Sequence, residues 1–215
     1  MGCCSTDAHD AAQTRFSGLI LCSLLMSFGL LLSGCHILHP VDTKPLDAVG
    51  MSYDAVQELK SLRVSTAEVT EIAKARQSGF SDADCIDAFK VFRSRSQSFD
   101  AGDAIASLVE VSVSEDTILE LARINQLGLD SGELQAMKLA GLSDDILLEV
   151  ARHRAHGKPV LSGASLARLK NTGMRASTLF ELAQRGVPDW QESAIVSYRR
   201  HGASDDQVLR RFAGI

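Results

Sequence analysis

A short unit recurs along the chain from about residue 51 to the C-terminal end, and its copies share one order of residue types. An apolar residue comes first, a serine or aspartate usually follows, and a second apolar residue stands four positions later, as in Val64, Ser65 and Val69. The polar residue is a typical helix N-cap, because its side chain accepts hydrogen bonds from the free amides of the first turn. The two apolar residues can pack on each other as a hydrophobic staple. A glycine closes many copies, which is typical of a helix C-terminus.

Caps and glycines at this spacing predict about ten short helices over residues 51–215. The units begin near residues 51, 64, 80, 99, 113, 129, 142, 161, 174, 187 and 203. Ser65 with Glu68 and Asp130 with Glu133 also fit a capping box. Taken in pairs the units repeat about every 30 residues, and longer stretches match at a spacing of about 61 residues. Helices this short are marginal alone in water, so we expect them to bury their apolar faces on one another.

The pattern therefore predicts an all-α domain over residues 51–215 that is built from helix hairpins. The period resembles that of α-solenoid repeats, although none of their consensus patterns is present, and a compact bundle of the same hairpins is equally allowed. Aromatic residues make up only 5% of the chain, which favours packed helices over a sheet sandwich. Cys85 is the one cysteine of this domain and occupies an apolar helix position, so we expect it to be buried.

The N-terminal region contains an uncharged apolar run, Phe16–Leu32, which leads directly into Ser33, Gly34 and Cys35. This segment resembles the signal peptide and lipobox of bacterial lipoproteins. The resemblance implies that residues 1–34 are removed and that Cys35 carries a diacylglycerol. Residues 35–50 are then the lipidated cysteine and a flexible tether, since Pro40 and Pro45 interrupt regular structure.

Two other interpretations of the N-terminal region stay open. Residues 16–35 are long enough to cross a bilayer as an uncut helix, which would make a single-pass membrane protein. The start Met1–Thr6 fits an N-myristoylation pattern with two adjacent cysteines. All three interpretations place the protein on a membrane. For a lipoprotein, His36 stands where an aspartate would resemble an inner-membrane retention signal, which favours the outer membrane if the cell has one.

The chain carries no motif of an established catalytic or cofactor site. It contains no Gly-x-Ser-x-Gly elbow, no phosphate-binding glycine loop and no zinc-binding His-Glu-x-x-His or Cys-x-x-Cys pattern. The acidic pairs Asp144–Asp145 and Asp205–Asp206 follow predicted N-caps, where acid favours the helix dipole. We therefore expect no catalysis, no metal and no cofactor. The alternative is an envelope enzyme, or a subunit of one, whose site is assembled between repeats.

Charge is distributed unevenly along the chain. Residues 36–141 hold 10 basic and 17 acidic residues, a net charge of −7, whereas residues 142–215 hold 11 basic and 8 acidic residues, a net charge of +3. A positive surface can attract an anionic partner. Nucleic acid is not expected, because no aromatic residues interleave with the arginines to stack bases. The candidate partner-binding residues are Arg152, Arg154, Lys158, Trp190, Arg199 and Arg200. The sequence thus predicts a lipid-anchored helical scaffold or adaptor that binds an envelope protein.

Overall fold

The computed structural model describes residues 41–127 and 131–214. Both ranges contain helices, turns and no β-strand, which confirms the all-α fold class. The helices are α1 (Lys44–Ala48), α2 (Tyr53–Ser61), α3 (Thr66–Gln77), α4 (Asp82–Ser94), α5 (Gly102–Glu110), α6 (Glu115–Arg123), α7 (Ser131–Leu139), α8 (Asp144–Ala155), α9 (Gly163–Asn171), α10 (Ala176–Gln184), α11 (Glu192–Arg200) and α12 (Asp205–Val208). A 3₁₀ turn, Asp189–Gln191, precedes α11, and a π-helical turn, Leu209–Ala213, continues α12. The signal segment and Cys35 lie outside the described residues.

The observed helix starts follow the order of residue types that the repeat predicted. Six of the twelve described helices begin after a serine whose hydroxyl accepts a hydrogen bond from the amide three residues on: Ser52, Ser65, Ser81, Ser114, Ser162 and Ser204. Ser143 also precedes a helix, but its side chain makes no such bond. The capping box of Ser65 and Glu68 is complete, since each side chain accepts the other residue's backbone N–H. Asp130, the cap of the second predicted box, lies outside the described residues. Cys85 is fully buried, as expected.

The helical body begins earlier than the sequence predicted. Residues 44–48, assigned to a flexible tether, form helix α1, which packs against α3 with Leu46 fully buried. Pro45 lies in the first turn of this helix, where backbone N–H groups have no intrahelical acceptor. Its lack of an N–H therefore costs no hydrogen bond, and its fixed φ suits the helix. Residues 41–215 form one compact unit. The predicted boundary at residue 50 is therefore too late.

The helices stack in two layers. Each helix from α1 to α10 packs on the helix two positions further along, with α10 meeting the turn that continues α12. Odd-numbered helices thus form one layer and even-numbered helices the other. From α3 onward, turns of four residues alternate with connections of seven residues. Among the described helices, extensive contacts occur only between helices that are one or two positions apart in the chain. This is the arrangement of an α-solenoid.

Carboxylates join successive helices within each layer. In the even layer, first-turn aspartates accept the backbone N–H at the N-cap of the preceding even helix: Asp82 from Ser52 at 2.8 Å, Asp144 from Ser114 at 2.9 Å and Asp205 from Arg175 at 3.0 Å. In the odd layer, Glu68, Glu71 and Glu133 accept N–H groups at the start of the following odd helix, from Phe99, Gly102 and Gly163. Helix N-termini have amides with no intrahelical partner, so these bonds satisfy them and set the register between repeats.

Candidate functional site

Arg154, which the sequence predicted as a partner-binding residue, forms an ion pair within the helical body. Its guanidinium donates two hydrogen bonds to Glu133, at 2.6 and 2.7 Å, and thereby joins α8 to α7. The same carboxylate accepts the backbone N–H of Gly163 at the start of α9. The Arg154 guanidinium holds the pKa of Glu133 below its usual range, and the Gly163 amide acts in the same direction. This cluster holds three consecutive helices together.

Arg199 has a similar internal role at the C-terminal end of the body. Its side chain is only 16% exposed and lies 2.9 Å from the Asp205 carboxylate, while its guanidinium donates to the carbonyl of Ala203 at 2.6 Å. Asp205 also accepts bonds from the Arg175 amide and the Thr178 hydroxyl. Burial opposes ionisation of Asp205, but these bonds together keep its pKa below the usual range.

Arg152 and Lys158 lie at the C-terminal end of α8. Arg152 pairs with Glu149 at 2.8 Å and approaches Glu120 of α6 at 3.8 Å. Lys158 is exposed beside a small depression of about 190 Å³ that these residues share with His153. The carboxylates compensate most of the local positive charge, so this region is a weaker candidate than the cluster of basic residues suggested.

Arg200 lines a different feature, a cleft between α9 and α11 that we call the C-terminal cleft. It has a volume of about 310 Å³, and its lining residues are Arg168, Asn171, Thr172, Glu192, Val196 and Arg200. Trp190 lies two residues before Glu192 and is 77% exposed. The sequence alone did not decide whether Trp190 is exposed, and in the structure it lies on the surface.

The charges of the C-terminal cleft do not cancel. Arg168 donates two hydrogen bonds to Glu192, at 2.8 and 3.1 Å, and this partner raises the pKa of Arg168. The two groups form a neutral pair. Arg200 is exposed and forms no ion pair with any residue that the structure describes. The cleft therefore carries one uncompensated positive charge.

Of the residues that line this cleft, the sequence analysis identified only Arg200 and missed Arg168, Asn171, Thr172, Glu192 and Val196. Glu192, Val196 and Arg200 recur every four residues, so their common helix face could have been recognised from spacing. Arg168 stands 24 residues before Glu192, and only the stacking of α9 on α11 brings the two together.

In residues 41–127 and 131–214, no three histidine, cysteine or acidic side chains come close enough to share a metal ion. Over the same ranges, no helix has the length and apolar character needed to span a bilayer. The chain matches no protein-family model, no curated protein and no solved structure, so its function must be argued from these surfaces.

Proposed function

We propose that the protein is a lipid-anchored, non-catalytic scaffold of the bacterial cell envelope that binds an acidic segment of a partner protein at the C-terminal cleft. The observation that carries this proposal is the uncompensated Arg200 in a cleft along α11, together with the exposed Trp190 in the 3₁₀ turn that leads into the same helix. Tryptophan and arginine are the residue types most enriched among those that dominate binding energy at protein interfaces.

The exposed Trp190 offers a partner a large apolar surface together with one N–H donor. The C-terminal cleft offers Asn171 and Thr172 for hydrogen bonds and the methyl groups of Val196 for apolar contact. This mixture suits an extended peptide better than a purely apolar helix.

The charge of the surrounding half favours an acidic peptide. Residues 142–215 carry a net charge of +3, whereas residues 36–141 carry −7. Long-range attraction therefore directs an acidic segment to the C-terminal part of the array and repels it from the N-terminal part. A basic segment would show the opposite preference.

The proposed anchor keeps the array near a membrane. If Cys35 carries the lipid, the nine residue steps to Lys44 span at most about 30 Å when fully extended. Helix α1 then begins within that distance of the bilayer surface, and we assign this bilayer to the outer membrane. The direct test of the anchor is mass spectrometry of the N-terminal peptide from membrane-extracted protein. A peptide that begins at Cys35 and carries acyl mass supports it, and an intact segment 1–34 refutes it.

Site-specific photo-crosslinking in cells tests the binding surface. A photoreactive amino acid at Ser193, exposed on α11, should give a discrete adduct, whereas the same group at Gln57, exposed on α2, should not. The adduct should disappear in the double variant Trp190→Ala, Arg200→Glu. Tyr53→Ala is the matched control, because Tyr53 is 75% exposed but lies in the acidic half. An adduct that persists in the double variant would reject this surface.

A further inference from the structure

A second cleft of the odd layer lies between α3 and α5, and we call it the N-terminal cleft. It has a volume of about 410 Å³, and its lining residues are Ser78, Asp103, Ala106, Ser107 and Glu110. Helices α5 and α11 each contain nine residues, and their last residues are Glu110 and Arg200. The N-terminal and C-terminal clefts therefore carry charges of opposite sign at the same helix position.

The two clefts also share an ion pair between their walls. In the C-terminal cleft, Glu192 in the first turn of α11 pairs with Arg168 of α9 at 2.8 Å. In the N-terminal cleft, Asp103 in the first turn of α5 pairs with Lys74 of α3 at 2.8 Å, and Lys74 also contacts Glu71 at 2.8 Å. The basic residue is thus compensated inside the protein in both clefts, and it is not available to a partner.

Glu110 and Arg200 are the charges that the two clefts leave for a partner. Both side chains are exposed, and within residues 41–127 and 131–214 neither forms an ion pair. An interface that brings Glu110 of one molecule to Arg200 of another compensates both charges. Such complementary pairs mainly determine which surfaces meet and in which orientation.

Helix α7 lies between α5 and α11 in the odd layer, and its last residue is also exposed. This residue, Leu139, is 73% exposed. Lys170 of α9 donates a hydrogen bond at 3.0 Å to the carbonyl of Ala140, just after α7, so the C-terminal ends of these two odd helices lie side by side. This edge of the odd layer thus presents a negative, an apolar and a positive residue in succession. An apolar centre with a polar rim is the usual anatomy of a protein interface.

We propose that the partner at the C-terminal cleft is a second copy of this chain, which packs its odd layer against that of the first copy in the opposite direction. This assignment rests on the proposed function, because it names the partner of the same cleft: the acidic segment is the end of α5. About a two-fold axis, Arg200 of each copy meets Glu110 of the other. The spacing from α5 to α11 is the same in both copies, so both ion pairs form together. The two Leu139 side chains then lie near the centre of the interface.

The charges of the two halves favour the same arrangement. Residues 36–141 carry a net charge of −7 and residues 142–215 carry +3. Antiparallel packing places the acidic half of each copy opposite the basic half of the other, whereas parallel packing would place like charges together. Because the attraction acts between exposed charges, salt screens it. Dimerisation should therefore be weaker at about 500 mM salt than at about 50 mM.

Sedimentation equilibrium of the full-length protein tests the proposal. The protein is extracted from membranes into a neutral detergent whose micelles match the buffer density, so that only the protein contributes to the measured mass. We expect a dimer at about 100 µM protein and low salt. Glu110→Arg and Arg200→Glu, each made alone, should weaken dimerisation at least about tenfold, because each places like charges at both symmetric contacts.

Mixing the two charge-reversal variants identifies the contact directly. An equimolar mixture of Glu110→Arg and Arg200→Glu should dimerise about as well as wild type, since a mixed pair has an arginine opposite a glutamate at both contacts. Asp54→Arg is the matched control, because it makes the same change of charge at an exposed position of α2 in the even layer and should leave the dimer unchanged. Circular dichroism should show that all three variants are folded.

Four outcomes would overturn this partner. They are a wild type that stays monomeric at about 100 µM, a dimer that neither reversal weakens, a mixture that stays monomeric, and a control that weakens the dimer as much as Glu110→Arg. A monomeric wild type whose Ser193 adduct contains a different protein would overturn the second copy and leave the proposed function intact. An adduct that survives Trp190→Ala, Arg200→Glu would instead reject the C-terminal cleft itself.

Discussion

Replacing Glu68 by glutamine should destabilise the array far more than a conservative change of one atom suggests. The Glu68 side chain is 1% exposed and accepts the backbone N–H groups of Ser65 and Phe99, at 2.8 and 3.1 Å, and the Arg93 guanidinium at 2.8 Å. Glutamine has one acceptor oxygen in place of two. The change therefore leaves at least one amide without its acceptor and Arg93 without its counter-charge.

The expected magnitude follows from those contacts. A buried donor that loses its partner costs about 1–3 kcal/mol, and breaking a buried charge pair costs about 3–5 kcal/mol. Arg93 is partly exposed, and water offsets some of its loss. We therefore expect the free energy of unfolding to fall by about 3 kcal/mol, as measured by urea denaturation followed by circular dichroism.

Glu58→Gln is the matched control for this prediction. Glu58 pairs with Lys90 at 2.7 Å, but both side chains are nearly half exposed, so the loss should stay below about 1 kcal/mol. The reasoning is refuted if Glu68→Gln costs no more than Glu58→Gln. Such a result would mean that bonds between repeats contribute little to the stability of the array.

The same residue gives a pH dependence with a defined sign. Burial opposes ionisation of Glu68, but the bonds from Ser65 and Phe99 and the charge of Arg93 together lower its pKa from the usual 4.5. A carboxyl whose pKa is lowered by folding contributes stability above its unfolded pKa and loses it as the pH falls through the folded value. The difference in stability between wild type and Glu68→Gln should therefore shrink below about pH 4.5. A difference that is constant down to pH 2 would contradict the assignment.

Three further predictions concern single positions. Ser112→Gly should stabilise the protein by about 0.5–1 kcal/mol, because Ser112 has a φ of 63° at a helix end where glycine is unstrained; a lower urea midpoint would contradict this. Cys85, whose pKa burial raises to about 12, should react with iodoacetamide at pH 8 only after denaturation, and rapid labelling of the folded protein would refute its burial. Arg199→Ala should cost about 2 kcal/mol, because the buried Asp205 loses one of its two charge partners and keeps Arg175 at 3.0 Å, whereas Arg200→Ala should cost under about 0.5 kcal/mol; equal unfolding midpoints would show that the Arg199 pair is not structural.

Local chemistry explains why the helix positions were predictable. Ser65 and Glu68 form a capping box from residues three apart. The sequence pattern that predicts this box therefore spans four residues and does not depend on the rest of the chain. The buried position of Cys85 followed from the same register, since a staple partner faces the core. Residues 44–48 were misjudged because proline was taken as a helix breaker, although a first-turn position tolerates it.

The candidate site was less predictable, because it depends on pairings between repeats. The basic clusters pointed to Arg154 and Arg199, but carboxylates from neighbouring helices engage both of them inside the body. Trp190 is exposed, and Arg200 lines a cleft whose opposite wall, with Arg168, belongs to α9. Their binding role stays a prediction.

The amino-acid sequence by itself determined the all-helical fold class, the succession of short helices after residue 50 and their period of about 30 residues. Caps, staples and C-terminal glycines act over a few residues, so their energies do not require the rest of the fold. Only the tertiary structure decided that the hairpins stack as a solenoid, which carboxylates join the repeats and where the clefts open. These outcomes depend on contacts such as that of Glu68 with Phe99, 31 residues apart, and no local pattern specifies which amide a side chain will meet after stacking.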